Sequence, residues 1–358
     1  MAINNKKAFE VEFHWIFILI AGAAILAFFF VMAEKQKTIS QEKLSLELST
    51  QFDAAFISAI QSKGTTQTMP LPSEGIEINC GKTQLCDCKY TVLGRPTSFG
   101  DKIIFAPNKL DDYEAQIKTF DWTAPFRATN FLFMTTTKIK YVIVYSDTDA
   151  PIRELEIQLL KDLPATLKLQ TTTDISKIVY DEDKIRLVFL TNPDPTLLNT
   201  ILSANKRKDI NAVYINKQNN EATFYNKKQN SNSFEQTTLK FLADSTSADS
   251  VNNALMYATI FAEDPHLYEC QSKEAYKKLS YIAMIIHERA KELSSQMQDK
   301  PQCATLYPIQ TGQTLDNLKK SAQQASNDLN TAGNILPLAQ QLQTQNKELL
   351  TTSCPVIY

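Results

Sequence analysis

Six cysteines are the residues of this chain best placed to do chemistry. Cys80, Cys86 and Cys88 lie within nine residues of one another, and Cys270, Cys303 and Cys354 fall in the last ninety. Thiols spaced in this way either pair as disulfides or hold a soft metal ion. Six cysteines allow 15 pairings. A bond between Cys86 and Cys88 would close a very tight ring, and three cysteines in each group mean that full oxidation sends at least one bridge between the groups. That bridge closes a loop of more than 180 residues, worth roughly 5 kcal/mol in the chain-entropy picture. A zinc site built on Cys80, Cys86 and Cys88 lacks a fourth ligand at a familiar spacing, because His14, His266 and His287 all lie elsewhere. The chain is therefore read as disulfide-braced, with no metal and no cofactor.

A second group of residues has catalytic types. Tyr141 to Ser146 reads as an apolar strand followed by Asp147-Thr148-Asp149, and a later strand ends Val188-Phe189-Leu190-Thr191. This resembles the first two motifs of haloacid-dehalogenase-type phosphatases, in which an aspartate at a strand end attacks phosphorus and a second acts as acid. The resemblance implies a phosphatase using Asp147 and Asp149. The chain departs from the pattern at Ser146, which separates Asp147 from the strand end, and at Pro151, where that family has Thr or Val; no later Asp-Asp follows an obvious strand. Read from the residues alone, Asp147 or Asp149 caps a helix that begins near Pro151. Glycine is absent from residues 101 to 311, which excludes the phosphate-cradling loops of nucleotide-binding folds. There is no Gly-x-Ser-x-Gly elbow and no His-Glu-x-x-His pair. The expectation is a protein that is not an enzyme.

The elements that position these residues begin with an uncharged apolar run, Trp15 to Met32. Eighteen residues of α-helix rise about 27 Å, close to the thickness of a bilayer hydrocarbon core. No Gly or Pro occurs from Ala23 through Lys63, so the spacing predicts one helix from Phe9 to Lys63, stopped by Gly64. Leu44, Leu48, Phe52, Phe56 and Ile60 recur every fourth residue along its polar half and form the expected packing stripe. Cleavage after Ala33 would instead make the run a signal peptide, although eighteen apolar residues exceed the usual signal core. Lysines are nearly balanced around the run, with Lys6 and Lys7 before it and Lys35, Lys37 and Lys43 after it. The cysteines settle the orientation: all six follow the run, which places the bulk of the chain outside the cytoplasm.

Lys6-Lys7-Ala8, Glu12 and the apolar run together resemble the class III signal and long first helix of type IV pilin-like proteins. More closely, they resemble the N-terminus of uncharacterised archaeal membrane-anchored surface proteins. The likeness covers residues 1–63. It implies processing near Lys7 or Ala8, a role for Glu12 in subunit assembly, and protein partners that meet the chain along this helix. A plain signal anchor, with Glu10 and Glu12 as interfacial charges, is the alternative.

The remaining chain is read as an α/β protein. Residues 1–14 form a cytoplasmic head, 15–32 a transmembrane segment and 33–63 its amphipathic continuation. Residues 64–125 form a β-rich cysteine segment that opens on a Thr/Gln/Pro linker at 64–72. Residues 126–250 form a layered α/β domain of alternating strands and helices, with a hairpin turning at Gln218-Asn219-Asn220, and 251–358 form a helical segment. Trp122, Phe126 and Phe131 near Arg127 read as core anchors. A Gln/Asn-rich helix from about Leu315 is interrupted by Gly333 and Pro337. Without residues 1–33, 35 basic residues face 37 acidic ones, so no positive field is present to hold nucleic acid. These features predict a single-pass cell-membrane protein in contact with lipid, with a structural or adhesive role outside the cell as a pilin-like surface subunit. The alternative is an anchored module that binds an extracellular ligand.

Overall fold

The computed structural model describes residues 6–62, 64–81, 86–204, 209–227, 234–243 and 250–358, apart from the side chains of 6–14, 202–204 and 308–310. Its first element, α1 (Lys6–Gln61), is one helix of 56 residues, about 84 Å long. Gly64, at φ +65°, turns the chain out of it. From Trp15 to Leu44 every side chain but the half-buried Ala21 is exposed. The apolar window has a mean hydropathy of 2.9 and is 0% buried. The helix is long and apolar enough to cross a membrane.

The packed face of α1 is Ser45, Ser49, Phe52, Phe56 and Ala59, which corrects the every-fourth-residue stripe. A step of four residues overshoots a 3.6-residue turn by about 40°. A stripe of fours therefore winds off the face, leaving Leu44 49% exposed and Leu48 and Ile60 half-buried. The observed spacing of four, three, four and three stays on it.

Eight strands follow: β1 (Thr66–Pro70), β2 (Ile76–Cys80), β3 (Cys88–Val92), β4 (Arg95–Ser98), β5 (Ile103–Phe105), β6 (Lys109–Leu110), β7 (Glu114–Thr123) and β8 (Arg127–Thr136). They form two four-stranded sheets, β4-β3-β2-β6 and β1-β7-β8-β5. Leu93 and Gly94 both have positive φ, as a two-residue hairpin loop between β3 and β4 requires. Phe52 and Phe56 of α1 pack edge-on against Tyr90 in a core that also holds Ile78, Ile104, Ile117, Leu132 and Leu267.

Two sequence expectations change here. The stretch 64–72 is not only a linker, because Thr66–Pro70 is an edge strand paired antiparallel with β7. Strand β7 itself was not expected. It forms one hairpin with β8 through the cis Ala124-Pro125 bond, so the segments 64–125 and 126–250 share a sheet.

The third sheet contains β9 (Ile139–Val144), β10 (Lys168–Thr172), β11 (Lys184–Phe189), β12 (Asp209–Asn216), β13 (Glu221–Lys227) and β14 (Phe234–Lys240), in the order β10-β9-β11-β12-β13-β14. The first four strands are parallel, and β13 and β14 return antiparallel. Helix α2 (Ala150–Asp162) connects β9 to β10, and α3 (Pro195–Ala204) connects β11 to β12. These two crossovers run in opposite directions along the sheet, so right-handed connections put their helices on opposite faces. Leu155 and Leu159 of α2 accordingly pack with Tyr141, Ile143 and Val188, and Leu198 and Ile201 of α3 with Val142, Leu187 and Phe189. Burial on both faces explains the near-continuous apolar runs of β9 and β11.

The last hundred residues are helical: α4 (Ala254–Phe261), α5 (Pro265–Gln296), α6 (Pro301–Leu306), α7 (Gln313–Asn327) and α8 (Ile335–Thr351). Tyr276, Leu279, Ala283, Ile286 and Ala290 line the buried stripe of α5. The break near Gly333 is a 3-10 turn at Leu329–Asn334. Pro337 breaks nothing, because it sits in the first turn of α8, where no helical N–H bond is lost. The chain is an α/β protein with a long N-terminal helix, as its sequence implies.

Candidate functional site

In an open parallel sheet, ligands bind outside the carboxyl ends of the strands, where the strand order reverses. Here β10 lies on one side of β9, and β11 and β12 on the other, so the reversal falls between β9 and β11. The loop after β9 runs from Tyr145 to Asp149 and the loop after β11 from Leu190 to Asp194. With the end of β12 and the flank of α2 they enclose a cleft of about 910 Å³.

The cleft mixes polar and apolar lining and carries no net charge. Asp149 and Glu154 are balanced by Lys161 and Lys217, and Gln158, Asn192, Asn216, Gln218 and Asn253 supply amide donors and acceptors. Tyr214 and the 57% exposed Ile157 add apolar surface. Asp149 caps α2, its Oδ1 accepting from the Ile152 N–H at 3.3 Å. That carboxylate occupies the helix N-terminus where an anion would otherwise bind. Asp147, two residues before it in the same loop, is exposed. Burial pushes the Glu156 carboxyl above its ordinary value; the Arg153 guanidinium opposes the shift and the Asp147 charge adds to it. The arrangement suits a neutral, hydrogen-bonding ligand better than a phosphate.

The six cysteines form three bridges: Cys80–Cys88, Cys86–Cys270 and Cys303–Cys354. Cys80 and Cys88 face each other in register at the ends of β2 and β3. Cys86, at φ +47°, turns out of the hairpin to reach α5. His266 stands beside this pair, its Nε2–H donating to Gly81 O at 2.8 Å and lying 3.8 Å from Cys270 Sγ. Cys303 and Cys354 tie α6 to the chain just beyond α8. Lys7, Ala8 and Glu12 fall in α1 by their backbone, but their side chains lie outside the described residues.

One buried cation was not expected. Arg186, 3% exposed on β11, donates from Nη2 to Thr259 O at 2.9 Å and Ala262 O at 2.7 Å, and from Nε to Ile260 O at 3.2 Å. It thereby caps the carbonyl end of α4, where a positive charge is favoured. Burial lowers its pKa to about 10, against the opposing pull of the Glu263 carboxylate. The signal was present in the sequence as a single charge inside the run Ile185-Arg186-Leu187-Val188-Phe189. No known protein family's profile matches the chain, and no curated protein or solved structure compared with it is similar.

Proposed function

We propose that this chain is a single-pass membrane protein whose head stands outside the cytoplasm and serves a structural or adhesive role, as a pilin-like surface subunit. The observation that carries the reading is the division of α1 into two halves. Among the described residues every side chain from Trp15 to Leu44 but the half-buried Ala21 is exposed, whereas Ser45, Ser49, Phe52, Phe56 and Ala59 are buried in the head. An apolar half-helix left bare in this way needs lipid or the helices of other copies to cover it. Three disulfides fit an oxidising compartment. Residues 33–44 add about 18 Å of exposed helix between the apolar run and the head.

Mass spectrometry of the protein from its native membrane tests this. A mature N-terminus at Ala8 or Phe9 is expected for a pilin-like subunit, and an intact Met1 or Ala2 for a simple anchor. Cleavage after Ala33 overturns both. Protection of residues 1–14, with digestion of the head by external protease, is the expected topology.

The cleft at the carboxyl edge favours a second reading, a module that binds a neutral extracellular ligand and holds it at the membrane. Ligand-detected NMR against a set of small polyols checks it, with Asn192→Ala and Gln218→Ala expected to abolish any signal seen with the parent. In both readings the head acts without catalysis. Phosphatase turnover lost in Asp147→Asn would overturn that part.

A further inference from the structure

The two bridges at the mouth of the β2–β3 hairpin lie against each other. The sulfur atoms of Cys80, Cys88 and Cys270 are all within 4.8 Å of one another, and the sulfur of Cys86 is bonded to that of Cys270. Cys80, Cys88 and Cys270 are at most 4% exposed. Three of the four sulfurs therefore meet at one buried point, with the half-buried Cys86 bonded at its edge, although the sequence shows only Cys80, Cys86 and Cys88 near one another. The fourth comes from α5, 184 residues beyond Cys86.

We propose that in the reduced chain these four cysteines form a zinc site, with Cys80, Cys86, Cys88 and Cys270 as a tetrahedral thiolate set. A zinc ion with bonds of about 2.3 Å to each sulfur holds them about 3.8 Å apart; three of the sulfurs already lie within 4.8 Å of one another, and Cys86, held beside Cys270, completes the set when that bond is open. Its frame is fixed on three sides. Cys80 and Cys88 are register partners on β2 and β3, Cys86 has a positive φ and is bonded to α5, and Cys270 lies in the second turn of α5. His266 supports the frame by tying α5 to the hairpin through its bond to Gly81 O. Cys303 and Cys354 belong to a separate bridge and take no part.

The chemistry balances without a reductant in a newly made chain, where all six cysteines are thiols. Four thiols lose four protons as they bind one zinc ion. Later, two disulfide molecules of the exporting compartment each accept two electrons from two thiolates and, with two protons, become pairs of thiols. Cys80–Cys88 and Cys86–Cys270 form, and zinc leaves. The ion thus holds the hairpin to α5 until the bridges replace it. The inference does not rest on the pilin-like reading, since it concerns the head alone.

The test uses the full chain in detergent micelles, reduced with a phosphine, freed of it without oxygen, and titrated with zinc against a chromophoric chelator. One zinc ion per chain is expected, with cobalt in its place giving the absorption of a tetrahedral thiolate site. Cys80→Ser and Cys270→Ser should each weaken binding by about 100-fold or more, and the double variant Cys303→Ser/Cys354→Ser should bind as the parent does. Cobalt spectra of the parent read the site without any variant, so a variant that fails to fold leaves the proposal open to refutation. Absence of stoichiometric metal in the reduced parent, an octahedral cobalt spectrum, or binding that depends on Cys303 and Cys354 overturns it.

Discussion

The Tyr90 hydroxyl lies 3.1 Å from Asp53 Oδ1, so that a strand of the first sheet is tied to the long helix at the point where that helix enters the head. The same hydroxyl also reaches Ser49 O at 3.2 Å. The Tyr90 ring is the surface on which Phe52 and Phe56 rest. Lys102 Nζ lies 3.3 Å from the same Asp53 oxygen. The long helix and the head are joined by a packed seam.

Phe56→Ala should open that seam. Phe56 is 1% exposed, and removing a buried phenylalanine ring costs about 3–5 kcal/mol. Hydrogen exchange of residues 45–61 should accelerate in the variant while that of β9 and β11 stays slow. Equal acceleration in both regions would show that the head unfolds as one unit with the helix.

Arg186→Met should destabilise the head by about 3–5 kcal/mol, the range for breaking a buried charged network from one side. It leaves the carbonyls of Thr259, Ile260 and Ala262 and the Asn211 side chain without their shared donor. Urea titration followed by circular dichroism measures the loss. A change under 1 kcal/mol would mean that water replaces the guanidinium.

Alkaline conditions should unfold the protein cooperatively. Burial raises the phenols of Tyr90, Tyr141, Tyr257 and Tyr268 above the ordinary value of 10.0. In the unfolded chain these groups lose protons from pH 10 upward while the folded chain keeps them. Their contribution is therefore complete below pH 10 and is lost as pH rises above it. Arg186 opposes this, since its folded pKa of about 10 lies below its unfolded one, but it is one group against four. Phenolate absorbance of the buried fraction should rise in a single step together with the loss of helical circular dichroism. A gradual rise with the fold intact would contradict this account.

Cys303→Ser/Cys354→Ser should lower stability by about 4 kcal/mol in the chain-entropy picture for a loop of this size, because the bridge spans 51 residues. The effect should be confined to α6–α8, visible as early protease cleavage there before the sheets are cut. Simultaneous cleavage throughout the head would show that the C-terminal helices are coupled to the sheets more strongly than their shared core implies.

The parts legible in the sequence are those where one physical signal acts alone. Absence of helix breakers predicted α1 within three residues at either end, and doubly buried strands such as Ile185–Phe189 declared themselves by apolar character interrupted only at Arg186. Strand β7 was hidden because it buries polar residues that find partners only in the fold. Thr119 Oγ1 donates to Ala59 O at 2.8 Å, and Gln116 Oε1 accepts from Thr166 Oγ1 at 2.7 Å. Strand β1 was hidden because, as an edge, it buries only Met69. The cleft could not be read at all, since Asp149, Asn192 and Gln218 converge only through the order of strands, a property of topology with no local sequence signal.

The 184-residue separation of Cys86 and Cys270 also sets a clock. Chains emerge from synthesis at about 5–20 residues per second, so if the head follows its anchor outward, Cys86 waits roughly 10–40 s for its partner to arrive. Cys80 and Cys88, eight residues apart, are present from the start, and a bond closed between them before Cys270 arrives would take two ligands from the zinc site. During the interval the group holds an odd number of thiols, so one of them is open to a wrong neighbour or to another chain. The order in which residues emerge from synthesis, as much as the final packing, decides which bridges form.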